Sequence, residues 1–491
     1  MSRHLQVRVG AYRDSVSLMQ VSQRVSAEPG VRSALVAMAT ELNLDLLAGM
    51  GFAPPDGASA NDMVVAVEAE NDAALGAALS RLDGILAERA RPTGGGAADV
   101  APRTLRTAAS DGATLALIST PGRHAAADAF DALQAGLDVV LFSDNVPLDQ
   151  EIALKDAAAR LGRLVMGPDC GTAVVAGVGL GFANVVRPGP VGIVAASGTG
   201  AQQFMCLLDA TGVGVSHCLG VGGRDLSTEV AGRSTLAALD LLAADDATER
   251  VVVISKPPAP GVAERVRAHA AGLGVPVEFA LLGPGQPTLT EVAERLVRSI
   301  GLEWDRPRAW PAPYERSPRS GALRGLFSGG TLCDEAMLIA SARLGAVSSN
   351  IPLAPAWMLP DDLRARGHLM IDFGDDRLTR GRPHPMIDGS IRARRLLEEG
   401  ADAACGVVLL DVVLGHGAHP DPTAELAPAI QKARVTAGED GRDLAVVASL
   451  IGTAGDPQGL ERQARTLQAA GASVHLSNAE AAAAAVGLVG G

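Results

Sequence analysis

The chain predicts an α/β fold: consecutive doubly wound units behind a small α+β module. Three observations carry that expectation. Apolar runs of strand length recur from Leu115 onward, each followed by helical apolar spacing. Short turns rich in Gly, Ser and Pro separate strand from helix. The hydrophobic content of 47% against 20% charged residues, dominated by Ala, Val and Gly, is that of a globular α/β protein, and 491 residues give room for three or four domains.

Residues 1–100 form the α+β module. Leu5 to Val9, Ser33 to Met38 and Met63 to Val67 read as strands, with helical spacing over Ser15 to Val25 and from Asn71 to Ala90. This order predicts a ferredoxin-like or ACT-like unit, a fold that hosts many functions. Arg91 to Pro102, with Pro-Thr-Gly-Gly-Gly inside it, reads as a linker.

Residues 101–186 switch to strand and helix in alternation. Leu115 to Ser119, Asp138 to Phe142 and Leu164 to Met166 are the strands, and the turns Pro121-Gly122-Arg123-His124 and Gly167-Pro168-Asp169-Cys170-Gly171-Thr172 follow strand ends. Ligands of doubly wound sheets sit beyond those ends, so Pro121, Gly122, Gly167, Pro168, Asp169 and Cys170 are candidates for holding a cofactor. His124 reads as a helix-start or surface residue.

Residues 187–303 form a second α/β unit organised on Gly189 to Phe204. Val191 to Ala195 is a strand, Ser197-Gly198-Thr199-Gly200 is a tight turn, and Ala201 to Leu208 opens a helix. Free N–H groups and the positive end of the helix dipole, roughly half a charge, converge at such a turn. Glycines let an anion approach the backbone and the two hydroxyls add donors, so phosphate or a phosphoryl group is its natural guest. Plain helix capping is the alternative. Gly214 to Cys218, Val251 to Ser255 and Val275 to Ala280 are the further strands. The turn Leu219 to Asp225 is either a ligand loop or a plain connection.

Residues 304–320, with four prolines, Trp304 and Trp310, read as an extended linker lying against a surface. Residues 321–491 are α/β again, with strands at Leu323 to Phe327, His368 to Phe373, Gly406 to Asp411, Leu444 to Leu450 and Ser473 to Leu476. Ser328-Gly329-Gly330-Thr331 repeats the strand, turn and helix device of Ser197 to Gly200, so two cradles are expected to face one site. Arg377, Arg380, Arg382 and His384, close to a strand end and stiffened by Pro383 and Pro385, form a clamp for a carboxylate or phosphate, with a solvated loop as the alternative. His416 and His419, beside Asp421 at another strand end, are candidates for acid–base or phosphoryl-carrier chemistry. One short loop supplies too few ligands for a metal, and none is expected.

The net charge of −13 argues against nucleic acid or anionic membrane as the main partner and leaves room for local basic pockets. The five cysteines are scattered without Cys-x-x-Cys or zinc spacing and read as buried reduced thiols. The N-terminus has no apolar signal core and no segment reaches membrane-spanning length, which places the chain in the cytoplasm.

The order of the turns resembles a known family. Gly167-Pro168-Asp169-Cys170, then Gly189 to Thr199, then Cys218 to Gly223 resemble the α-subunit of succinyl-CoA synthetase, and the last third, with Phe327 to Thr331, resembles the ligase domain of its β-subunit. Asp375 to Asp388 and Gly-x-Gly-Ala-His-Pro-Asp-Pro resemble the FdrA branch. The resemblance implies a Rossmann-like CoA-binding-type domain and two flavodoxin-like ligase domains. It gives Ser197 to Gly200 and Ser328 to Thr331 the role of two helix ends facing a phosphoryl site. The family's phosphohistidine loop is absent, since Leu281-Leu282-Gly283-Pro284-Gly285-Gln286 stands in its place. Its glutamate-bearing turn is replaced by Ser255-Lys256-Pro257-Pro258, and no nucleotide-grasp domain has a counterpart.

FdrA-type proteins resemble a subunit of oxamate carbamoyltransferase, which implies conversion of carbamoyl phosphate and oxamate to oxalurate and phosphate in purine and allantoin nitrogen catabolism. The implied partners are a carbamoyl or acyl phosphate, a carboxylate held by Arg380 and Arg382, and other subunits or a second copy of the chain. An NDP-forming acyl-CoA synthetase, with CoA or nucleotide as cofactors, and a non-catalytic scaffold are the other two expectations.

Overall fold

The computed structural model describes residues 1–13, 15–55, 57–88, 102–313, 320–380 and 382–489. Most of the linker expected over Arg91 to Pro102, and part of the one expected over 304–320, lies outside these. The chain divides into two compact units, Met1–Thr107 with Thr379–Pro383, and Ala108–Leu378 with His384–Gly491.

The first unit holds β1 (Ser2–Arg8), α1 (Ser15–Ser26), β2 (Val31–Met38), α2 (Glu41–Gly49), β3 (Met63–Ala69) and α3 (Asp72–Glu88). The sheet order is β1-β3-β2, antiparallel at both pairings. Alternation along β3 divides its side chains between two cores. Val65 and Val67 pack with Leu18 and Val21 of α1 and Leu82 and Ile85 of α3, whereas Ala66 packs with Leu47 and Phe52. Helix α2, capped by Thr40, is an addition to the expected module and supplies that second core.

The short α4 (Leu105–Ser110) precedes three sheets. The first is parallel, in the order β4 (Leu115–Ile118), β5 (Asp138–Leu141), β6 (Val165–Met166), with α5 (Gly122–Gln134) and α6 (Leu148–Leu161) as crossovers. The second contains β7 (Thr172–Val175), β8 (Val178–Gly181), β9 (Pro188–Ala196), β10 (Val215–Gly220), β11 (Arg250–Ser255) and β12 (Val277–Leu281), interleaved with α7 (Gly198–Ala210), α8 (Arg233–Ala243), α9 (Pro260–Ala270) and α10 (Leu289–Ser299). Its order is β12-β11-β9-β10-β7-β8, parallel from β12 to β10 and antiparallel at both β10–β7 and β7–β8.

The third sheet has the order β13-β19-β18-β17-β14-β16-β15. Its elements are β13 (Ala309–Trp310), β14 (Ala322–Phe327), α11 (Gly330–Leu344), β15 (Ser348–Ser349), β16 (Leu369–Asp372), α12 (Asp376–Thr379), α13 (Ser390–Ala401), β17 (Cys405–Val413), α14 (Thr423–Glu439), β18 (Ala445–Ile451), α15 (Leu460–Ala469), β19 (Ala472–His475) and α16 (Asn478–Leu488). The described part of the expected linker is not free chain. Trp310 is buried in β13, which pairs antiparallel with β19, and Trp304 packs on the core of the second sheet.

Strands β9 and β14 are the fully flanked ones that matter for a site. β9 has β10 on one side and β11 on the other, and β14 has β16 and β17. The winding reverses direction at both, and the crevice beyond such a strand is where ligands of open α/β sheets bind. Helices α7 and α11 start in those two crevices.

Candidate functional site

Helix α7 begins as its sequence requires. Ser197 has extended backbone, its Oγ accepts the Gly200 N–H at 2.9 Å, and Ala201 N–H bonds the Ser197 carbonyl. The N–H groups of Gly198 and Thr199 have no intrahelical acceptor. The Ser197 hydroxyl itself donates to Thr331 Oγ1 at 2.6 Å, across 134 residues of sequence. The two turns therefore meet. A Cβ on Gly200 would stand 3.0 Å from Thr331 Cγ2, and one on Gly329 would fall 2.7 Å from Thr199 Oγ1. Only glycine at position 329 permits that approach.

The start of α11 is built differently. Ser328 donates its N–H (2.8 Å) and its Oγ–H (2.9 Å) to Asp411 Oδ1, and Gly329 donates its N–H to Asp411 Oδ2 at 2.9 Å. Asp411 is fully buried within β17 and accepts from Arg392 Nη1 at 2.7 Å. Burial raises the Asp411 carboxyl above the usual range, against the pull of Arg392 and the Ser328 donors. Ser328 and the Gly329 N–H thus serve an internal carboxylate. The N–H groups of Gly330 and Thr331 have no intrahelical acceptor and point out of the helix end.

Lys256 lies over that end. A Cβ on Gly330 would stand 2.7 Å from both Lys256 Nζ and Asp372 Oδ2. Lys256 Nζ pairs with Asp334 Oδ2 at a long 3.7 Å, and its side chain is 39% exposed. Burial alone would lower the Lys256 pKa, but Asp334, Asp372 and Asp169 outweigh it and raise it. Asp372 is pushed up to about 7 and Asp334 to about 6, each chiefly by burial and each opposed by Lys256. Crowding by surrounding protein, then Asp376 and Asp144, drives Asp169 toward about 7. Its side chain is nevertheless exposed, so water screens much of that rise.

The rim around these helix ends collects several turns singled out in the sequence. Thr172 lies 3.4 Å from where a Gly198 Cβ would be, and its hydroxyl donates to the Phe182 carbonyl at 2.8 Å. Phe182 lies against His384 in a tilted arrangement, 5.8 Å between centroids. His384 accepts from Met386 N–H at Nδ1, so its Nε2 carries the proton, and a Cβ on Gly374 would meet that Nε2 at 2.8 Å and Asp372 Oδ1 at 3.1 Å. Burial, then Arg392, lowers His384 to about 4 and keeps it neutral.

His416 is exposed, and its backbone exchanges hydrogen bonds with Ala183. His419 donates its N–H to the Met386 carbonyl and accepts from Asp421 N–H at Nδ1. Burial lowers its pKa, against Asp421 and Asp388. Of these three histidines, His384 is the one whose ring borders Asp372.

Glycines at strand ends of the first and second sheets approach neighbouring backbone closely. A Cβ on Gly122, which follows the N-cap Pro121, would overlap the Asp144 carbonyl. One on Gly167 would overlap that of Leu141, and one on Gly222 would reach the Pro168 carbonyl at 2.5 Å. Cys170 is buried and its thiol is pushed up to about 12. Arg380 and Arg382 are exposed and belong, with Thr379–Pro383, to the first compact unit. Lys256, Asp334, Asp372 and Asp411 are the site residues that motif reading passed over. Lys256 and Asp372 carried a signal, a charged residue at the end of an apolar strand.

Facing helix ends at the switch points of two parallel sheets define an α/β protein of the CoA-ligase type, and residues 326–488 match the CoA-ligase family model. Residues 1–102 match the model described as AllF, heavy metal-associated domain. The chain is 38% identical to the uncharacterized protein YahF of Escherichia coli K12 over 494 residues, 96% of this chain and 95% of that one, and it belongs to the same family. It is 29% identical to the α-subunit of the ADP-forming succinate–CoA ligase of Methanothermobacter thermautotrophicus over 143 residues, 28% of this chain and 47% of that subunit. Among solved structures, the dinucleotide-forming acetyl-coenzyme A synthetase 1 of Ca. Korarchaeum cryptofilum, in complex with phosphate and ADP, aligns over 76% of this chain and 82% of its own. The TM-score is 0.29 at 15% identity, and no argument rests on it.

Among the described residues, the metal in the first model's description finds no matching donor set. Residues 1–102 contain no cysteine, and among the described residues no three His, Cys, Asp or Glu side chains group to hold an ion. No described helix is long and apolar enough to cross a membrane.

Proposed function

We propose that this chain binds a small carbamoyl or acyl phosphate at the meeting point of α7 and α11 and transfers the carbamoyl or acyl group without a phosphorylated histidine. The observation that carries this reading is the Ser197–Thr331 contact. It brings two helix N-termini, each worth roughly half a positive charge, to one point beside Lys256. The loop after β12, Leu282 to Gln286, contains no histidine to accept the phosphoryl group.

In the finer reading the chain is an FdrA-type subunit of an oxamate carbamoyltransferase. The acceptor nitrogen attacks the carbamoyl carbon, the C–O bond to phosphate breaks, and its electron pair leaves with the phosphate. The nitrogen's proton passes through a rim base, with His384, His416 and His419 as the histidines there, and ends on the phosphate. The exposed N–H groups stabilise the leaving charge, and orientation of the two reactants supplies much of the rate.

The CoA-ligase match and the succinate–CoA ligase relatives favour a second reading, an acid–thiol ligase that draws CoA and nucleotide chemistry from partner subunits. Phosphorus NMR separates the two. Carbamoyl phosphate and oxamate are mixed with the full chain, alone and with the proteins encoded beside it, without nucleotide or CoA. Phosphate release that Ser197→Ala abolishes supports the transferase. Release that begins only when ATP and CoA are added supports the ligase and overturns the transferase.

A further inference from the structure

Lys256 occupies an electrostatically odd place. An ammonium at a helix N-terminus faces the positive end of the dipole, a placement ordinarily disfavoured. Here two such ends converge, and Gly330 leaves the space for Nζ to lie directly over one of them. Three carboxylates stand around it: Asp334 from within α11, Asp372 from the end of β16, and Asp169 from the loop after β6. The buried Cys333 thiol is the remaining titratable neighbour, and its pKa is raised by burial, so it stays protonated. None of the three acids holds Lys256 in a short charge-assisted geometry of the kind that fixes a structural lysine, and the Asp334 pair is 3.7 Å long. Elsewhere in the same unit Lys155 shows what such a lysine looks like. It is buried, with bonds of 2.8, 2.8 and 3.0 Å to Glu151, Asp225 and the Val221 carbonyl.

We infer that Lys256 is the cation that grips the phosphoryl group, exchanging its loose hold on Asp334 and Asp372 for a phosphate oxygen when the anion reaches the helix ends. This rests on the proposed phosphoryl chemistry and deepens it by naming a catalytic residue. The exchange has a charge consequence. A phosphate arriving beside Asp334, Asp372 and Asp169 adds to their negative charge, so binding draws a proton onto the buried acids. Those acids then become donors to the phosphate. His384, held neutral beyond Asp372, does not compete for that proton.

The test uses the full-length chain and inorganic phosphate as the probe, followed by titration calorimetry in two buffers of different ionisation enthalpy. The wild-type chain is expected to bind phosphate with proton uptake. Lys256→Met is expected to weaken binding by about tenfold or more, with Lys256→Arg restoring most of it. Asp334→Asn frees the ammonium and is expected to tighten binding and reduce the proton uptake. A structural lysine would not produce that reversal of sign. Lys256→Gln repeats the removal should the methionine variant fail to fold. Wild-type binding that both Lys256→Met and Lys256→Gln leave within twofold overturns the assignment of Lys256 while leaving the phosphoryl site in place. A wild-type chain that binds neither phosphate nor carbamoyl phosphate overturns the proposed function with it.

Discussion

Helices α7 and α11 start from turns that look alike in sequence, Ser197-Gly198-Thr199-Gly200 and Ser328-Gly329-Gly330-Thr331, and their ends meet, yet the two turns are built for different loads. Ser197 caps its own helix and lends its hydroxyl to Thr331. Ser328 and Gly329 are instead turned inward onto Asp411, a buried carboxylate that Arg392 neutralises. An anion already sits under α11, supplied by the chain, while the outer donors of both helices stay available. The difference teaches that a glycine- and serine-rich turn declares a helix end hungry for an anion, but not whether the protein feeds it from within.

Removing the internal anion tests that asymmetry most severely. Asp411→Ala leaves Arg392 buried without its partner and three donors unsatisfied, which is expected to cost about 3–5 kcal/mol in denaturant unfolding. A loss under about 1 kcal/mol would mean the two turns are equivalent after all. Ser328→Ala removes one hydrogen bond to a buried charge and is expected to cost about 1.5–3 kcal/mol, with a smaller change in phosphate affinity. Ser197→Ala should do the reverse. Loss of the cap costs about 1 kcal/mol, while phosphate binding and release fall more steeply because the contact between the helices goes with it. Equal ratios of stability loss to affinity loss in the two variants would erase the distinction.

The smallest effect is a pH slope. Asp372 and Asp334 have folded pKa values raised to about 7 and about 6. Their contribution to stability is therefore fully present below the unfolded carboxyl range and is lost as pH rises through those values. Thermal unfolding is expected at a lower temperature at pH 8 than at pH 5.5, and Asp372→Asn should flatten part of that slope. Unchanged slopes in the variant would show that Asp372 does not titrate in this window.

Much of the fold was legible. The strands β9 and β14 and the helices that follow them come from apolar runs of the right length ended by Gly and Ser, which act over a few residues and need no partner. The N-terminal α2 and the hairpin β7–β8 were less so. Short, mixed segments take their conformation from the faces they cover, as Leu47 does against Ala66. In the site, Ser197, Thr199, Gly329, Gly330 and Thr331 could be named from local chemistry, and the structure brings them together. Arg380 and Arg382 drew notice by their place after a strand end and the prolines beside them, and neither says which compact unit a loop joins.

By itself, then, the sequence determined the alternation of strand and helix and the small-residue turns that expose helix ends, because propensity and periodicity are properties of neighbouring residues. Tertiary structure alone decided that Ser197 meets Thr331, that Asp411 fills one turn from 82 and 83 residues away, and that Lys256 stands over Gly330 between two acids. Those contacts depend on the order of strands in each sheet and on how burial reprices charge, and neither is written in any short stretch of chain.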